Sequence, residues 1–139
     1  MHSFLDRVAI GDIEDAPSEA FDAATAFLAL HFVPDDGRRL EALRQIRARL
    51  KPVAPFLLDH GCRDMSSERF EETSSCMPRQ LDATAPAAIV DGAVQMVRES
   101  VSMIPPEREE ALLTKAGFRE MRRFYTALWV FGCPISAPP

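Results

Sequence analysis

At 139 residues, 47% apolar and 27% charged, the chain has material for one domain with a modest core and a composition ordinary for a globular protein. A net charge of −5 argues against nucleic acid or an anionic membrane surface as the primary partner, because phosphate binding needs a basic surface. No run reaches the roughly eighteen apolar residues of a membrane helix, and Met1-His2-Ser3-Phe4-Leu5-Asp6 does not read as a secretory signal, so the cytoplasm is the expected compartment.

In chain order, residues 7–17, RVAIGDIEDAP, read as a strand running into an acidic loop that Pro17 ends. Asp12 follows Gly11 at the strand's end. It either steadies its own turn, which Asp and Gly favour, or faces a ligand, since open parallel sheets bind at the carboxyl ends of their strands. Glu14 and Asp15 read as solvated.

The stretch from Phe21 to Asp59 reads as strand, crossover helix and second strand of a parallel sheet. Asp22 opens the run AATAFLAL, apolar in the way of a strand buried on both faces, over residues 22–30. Pro34, Asp35 and Asp36 then supply a turn and the carboxylates suited to a helix N-terminus, and Leu40, Leu43, Ile46 and Leu50 recur every three or four residues. Arg38, Arg39, Arg44, Arg47 and Arg49 share this helix and read as its solvated face rather than a nucleic-acid stripe. Lys51-Pro52 stops it, and Pro55 to Asp59 is the next buried strand, reached by a right-handed crossover. His31, between the first strand and the helix, titrates near neutrality and so is a candidate to take a proton from a substrate; the alternative is a packed histidine with a satisfied ring nitrogen. Asp59 and His60, adjacent on a strand, point to opposite faces and form no automatic dyad.

Residues 64–82 are polar with few apolar anchors and read as a loop or short helix, whereas Ile89, Val90, Val94, Val97 and Val101 give residues 87–103 helical spacing. A helix ends at Ala116-Gly117-Phe118, and two closing strands follow, one around Phe124-Tyr125 after Arg122-Arg123, the next from Trp129. Gly132 reads as a bulge or a close backbone approach. Cys62, Cys76 and Cys133 lack any C-x-x-C spacing, and His2, His31 and His60 are dispersed, so neither a disulfide framework nor a metal site is expected.

Together these segments resemble the second half of the class I S-adenosylmethionine-dependent methyltransferases. Members of that family commonly read FDxVxxxxxLHHL after the central strand and RxLKPGGxLLL before the next. The matching residues are Phe21-Asp22, Leu30-His31-Phe32 and Arg49-Leu50-Lys51-Pro52, with Val53-Ala54 in place of Gly-Gly. Residues 7–17 resemble the family's third strand and adenine-facing loop, and Ala111 to Phe118 its late helix and AGF turn. The resemblance implies an α/β fold, a partial Rossmann-like methyltransferase sheet, mostly parallel with an antiparallel last strand at its edge and helices on both faces, in one domain over residues 1–139.

It also implies S-adenosylmethionine as cofactor and a small molecule as methyl acceptor. Asp12 would meet the adenine amino group, Ile13 would lie beneath the ring, and the backbone carbonyls of Ala26 and Phe27 would face the methionine ammonium group. On its own chemistry, and not through the resemblance, His31 is the candidate catalytic residue. The family's glycine-rich cofactor loop has no counterpart, since the six glycines are scattered without a G-x-G. The domain is therefore expected to lack the first two strands and that loop, leaving the central strand with an exposed apolar edge that invites a second copy or a partner chain. Two alternatives follow: a non-catalytic partner subunit assembling through that edge, and a relative of the carboxy-S-adenosylmethionine synthases, which ALLTKAGFREMRRFY resembles, with Arg98 as candidate for the extra carboxylate.

Overall fold

Two parallel strands set the frame. β1 (Ala24–Phe27) and β2 (Pro55–Gly61) run in register from Ala24 opposite Phe56 to Phe27 opposite Asp59. Parallel neighbours need a crossover, and the helix α1 (Arg38–Ala48) supplies it. The computed structural model describes residues 11–18, 20–63, 86, 88, 89, 92, 95, 99–127 and 130–136, with 126, 127 and 130–136 as backbone. Expectations for Arg98, Cys76, Trp129 and residues 64–82 lie outside the described residues, as does the strand expected before Gly11.

β3 (Tyr125–Ala127) and β4 (Val130–Ser136) complete a sheet of order β1-β2-β4-β3. β4 runs antiparallel to both of its neighbours, so the other three strands share one direction. The expected α/β sheet with an antiparallel last strand is therefore present, but that strand is not at the edge. β4 pairs along the whole of β2, from Pro55 opposite Ser136 to Gly61 opposite Val130, and the inner seat goes to the strand that satisfies the longer ladder. Gly132 sits in continuous register with both Asp59 and Tyr125, so it is a regular ladder position and no bulge.

The first strand also differs from expectation. Rather than running buried through residues 22–30, β1 holds four residues in alternation, with Ala24 and Ala26 half-buried and Thr25 and Phe27 exposed. Leu28 ends it by taking φ 51°, left-handed for a branched residue, while its N–H donates to the Asp59 carbonyl at 2.6 Å. The chain then turns through a 3-10 segment, Leu30–Phe32, which drives Leu30 and His31 inward.

The core lies where α1 and α2 (Pro106–Lys115) pack against each other and against the face of β2 that presents Phe56 and Leu58. Leu43, Leu50, Leu112, Leu113 and Phe118 fill it. The Ala116-Gly117-Phe118 turn explains its own composition. Gly117 takes φ 96°, and the Phe118 N–H returns to the Leu113 carbonyl at 3.0 Å, closing the helix and folding Phe118 back onto Phe56 with ring centroids 5.2 Å apart. Phe118→Ala is expected to lower unfolding free energy by about 3–5 kcal/mol in urea titrations, as a large side chain leaves a cavity here. A loss below about 1 kcal/mol would contradict this packing.

Val53, where a glycine pair was the family expectation, adopts φ 56° while 63% exposed. Glycine suits that conformation, and little burial is at stake. Val53→Gly should therefore raise stability by roughly 0.5–1 kcal/mol, the net of relieved backbone strain and a more flexible unfolded chain. An unchanged or lower urea midpoint would show that the turn carries no strain. Among the described residues no helix is long and apolar enough to cross a membrane.

Candidate active site at the carboxyl ends of the parallel strands

β1 and β2 end side by side, at Phe27 and Gly61, and the 3-10 turn places His31 directly against that end. The Gly61 N–H donates to His31 Nδ1 at 3.2 Å, and the His31 carbonyl accepts from the Ser102 N–H at 2.6 Å. A Cβ on Gly61 would stand 2.9 Å from Met103 Sδ, so a larger residue here would have to displace the Met103 side chain, while His31 Nδ1 would remain at an ordinary 3.8 Å. Burial, and then the Arg39 charge, lower the His31 pKa and hold the ring neutral near pH 7. With Nδ1 accepting, the neutral ring carries its proton on Nε2. His31 so placed is a hydrogen-bond donor, and taking a proton at Nε2 requires giving up the Gly61 bond and switching tautomer.

Arg39 organises the surroundings, and here the expectation of a solvated arginine face is corrected. Its side chain is 0% exposed. Nε donates to the Val33 carbonyl at 2.9 Å, Nη1 to Glu109 Oε2 at 3.0 Å, and Nη2 to the Ser102 carbonyl. One guanidinium thus ties the His31 turn, the Ser102 segment and α2 together. Burial pushes the Glu109 carboxyl upward while Arg39 pulls it back. Since guanidinium keeps its proton in proteins, the pair balances its charge with Glu109 ionised. Outside the core, Asp35 accepts from Arg108 at 2.8 and 3.1 Å, a second tie between the start of α1 and α2. Arg38 forks onto Asp36, whose pKa falls to about 2 under those hydrogen bonds.

A signal for the buried pair was present in the spacing. Arg39 stands four residues before Leu43 and shares its stripe with Ile46 and Leu50, and Glu109 stands three and four before Leu112 and Leu113. Both charges occupy core positions of amphipathic helices. Reading residue type before position hid them.

Asp12 and Ile13 come together in a groove of about 360 Å³, with Glu14 beside them, Val33 and the outward side of α1 at Arg38, Glu41 and Ala42 opposite. Their loop is held by its own contacts. The Asp12 N–H donates to Asp15 Oδ2 at 2.9 Å, Arg49 Nη2 donates to the Glu14 carbonyl at 3.3 Å, and a Cβ on Gly11 would meet Asp15 Oδ2 at 2.6 Å. Asp15 is exposed, as expected, and also braces its own loop. Ala26 and Phe27 lie in β1 and His31 on the 3-10 turn after it, none of them lining the groove.

No family model and no curated protein matches the chain. Solved structures do. Human N-acetylserotonin methyltransferase in complex with S-adenosylmethionine aligns over 93% of this chain and 33% of its own, at TM-score 0.61 and 19% identity. The mitomycin 7-O-methyltransferase MmcR aligns over 91% of this chain and 32% of its own, at TM-score 0.59 and 22% identity. A pericyclic reaction enzyme aligns over 89% of this chain and 28% of its own, at TM-score 0.54 and 17% identity. The chain has the fold of a part of the class I methyltransferases, and it spans about a third of the length of these structures. That fold also serves pericyclic chemistry, so activity must be argued from the site.

Proposed function

We propose that the chain supplies the second half of an S-adenosylmethionine-dependent methyltransferase acting on a small-molecule acceptor, with the glycine-rich half of the sheet coming from outside these 139 residues. The observation that carries this reading is the convergence at the carboxyl ends of β1 and β2: the left-handed Leu28, His31 bonded to Gly61, and the nearby Asp12/Ile13 groove at the start of α1. Groove chemistry fits an adenosine. Ile13, Val33 and Ala42 offer apolar wall, Asp12 offers an acceptor for an amino group, and the volume is at the lower end of small-molecule pockets. The Ala26 and Phe27 backbone would meet the methionine end.

When bound, the cofactor supplies a methyl group on an electrophilic sulfonium, so alignment of the acceptor contributes more than acid–base strength. His31 holds the acceptor through Nε2–H, and its proton-accepting role follows a tautomer switch away from Gly61. Calorimetric titration with S-adenosylhomocysteine tests the reading. Saturable one-to-one binding to the 139-residue chain, weakened at least tenfold or about 1.4 kcal/mol in Asp12→Ala, would support the adenine assignment of the groove but overturn the half-sheet reading, because the pocket would then form without the glycine-rich loop. Weak or absent heat from a folded sample is the result expected of a half that needs the glycine-rich loop to complete the pocket.

One observation favours a second reading, a partner subunit. The outer edge of β1 carries no strand among the described residues, and Phe27, Leu28 and Phe32 beside it are 55%, 56% and 58% exposed. Sedimentation equilibrium tests its homo-oligomeric form: a monomer at all concentrations removes self-association through that edge.

A further inference from the structure

We infer a zinc-type divalent cation site formed by His60, Cys62 and Glu109, separate from the groove. His60 and Cys62 are two positions apart at the end of β2 and project to one side, while Glu109 reaches them from the first turn of α2. His60 Nε2 lies 3.3 Å from Cys62 Sγ and 3.6 Å from Glu109 Oε2. All three donor atoms lie within 4.8 Å of one another, and all three side chains are buried.

The arrangement is wrong for a proton relay. A relay sets nucleophile and carboxylate on opposite ring nitrogens, whereas sulfur and carboxylate here both face Nε2. That nitrogen has one proton or one lone pair and cannot serve both. Meanwhile Glu109 Oε1 is buried without a hydrogen-bond partner. A cation among the three donors removes the conflict. With Zn–N near 2.0–2.1 Å and Zn–S near 2.3 Å, tetrahedral geometry spaces its ligands by about 3.3–3.6 Å, close to the separations at Nε2.

The donor set of imidazole, thiolate and carboxylate suits zinc rather than calcium or magnesium, which take oxygen alone. Arg39 is compatible with it. Its bond to Glu109 Oε2 is the kind of outer contact that orients a ligating carboxylate, and thiolate plus carboxylate neutralise the dication, leaving Arg39's own charge. On binding, the Cys62 S–H bond breaks, a sulfur–metal bond forms, and one proton leaves to solvent.

The test uses the full 139-residue chain, stripped with chelator and titrated with zinc by calorimetry and with cobalt(II) by absorption. Expected are one equivalent bound, one proton released, a thiolate-to-cobalt charge-transfer band and a raised urea midpoint. Cys62→Ser, checked for folding by circular dichroism, should lose the band and bind zinc at least roughly tenfold more weakly. The wild-type cobalt band stands independently of whether that variant folds. Absence of the band from the folded wild type, or equal zinc affinity in wild type and a folded Cys62→Ser, overturns the site.

Discussion

Arg39→Met is expected to lower unfolding free energy by about 3–5 kcal/mol, measured in urea with chelator present. The side chain is fully buried and bonded to Glu109, Val33 and Ser102, so truncation strands a buried carboxylate and leaves two part-buried carbonyls without their donor. The double variant Arg39→Met/Glu109→Leu should recover most of the loss, because removing both charges removes the uncompensated one. If instead the single variant costs less than about 1 kcal/mol, or the double variant is worse by the sum of both singles, the pair is not the tie between α1, α2 and the His31 turn. The same variant also reads on the site. Loosening Val33 and Ser102 should disturb the His31 Nδ1 bond, visible in the imidazole nitrogen shifts by NMR.

Acid should unfold the chelator-treated chain early. His60 is fully buried, and burial, then the charge of Arg39, then His31, bring its pKa from 6.5 to about 3. A base with a depressed folded pKa binds its proton more readily unfolded, so its contribution is complete above pH 6.5 and drains as pH falls towards 3. The slope approaches about 1.4 kcal/mol per pH unit. His31, also lowered, adds to the loss. Glu109 opposes it: its folded pKa is raised, so down to its unfolded value of 4.5 the native state takes up that proton first and returns part of the stability. Below 4.5 that compensation ends, and the steepest loss is expected there. Urea midpoints that stay flat from pH 4.5 to 3, or an NMR titration placing His60 near 6.5, would sink this account.

Much of the frame was legible because it rests on local rules. The Pro34-Asp35-Asp36 turn into α1, the apolar spacing of Leu43 and Ile46 and the Gly117 turn that returns Phe118 to the core each follow from a few neighbouring residues, although α1 ends at Ala48, ahead of the Lys51-Pro52 stop. Less legible was anything set by partners distant in sequence. The run after Asp22 looked like a long buried strand because every residue in it is apolar or small. Only the bond from Leu28 to Asp59, a residue on another strand, shows where it breaks.

What the sequence determined by itself was the α/β class and the crossover, encoded in periodicities of a dozen residues or so, and a family likeness carried by motif residues such as Phe21-Asp22, Leu30-His31 and Leu50-Lys51-Pro52. Tertiary structure alone decided that Arg39 and Glu109, 70 positions apart, meet each other, and that His60 Nε2 faces a sulfur and a carboxylate at once. The reason is physical: a charge is tolerated in a core only beside its counter-charge, and that proximity is a property of how α1 packs on α2, which neither helix carries in its own sequence.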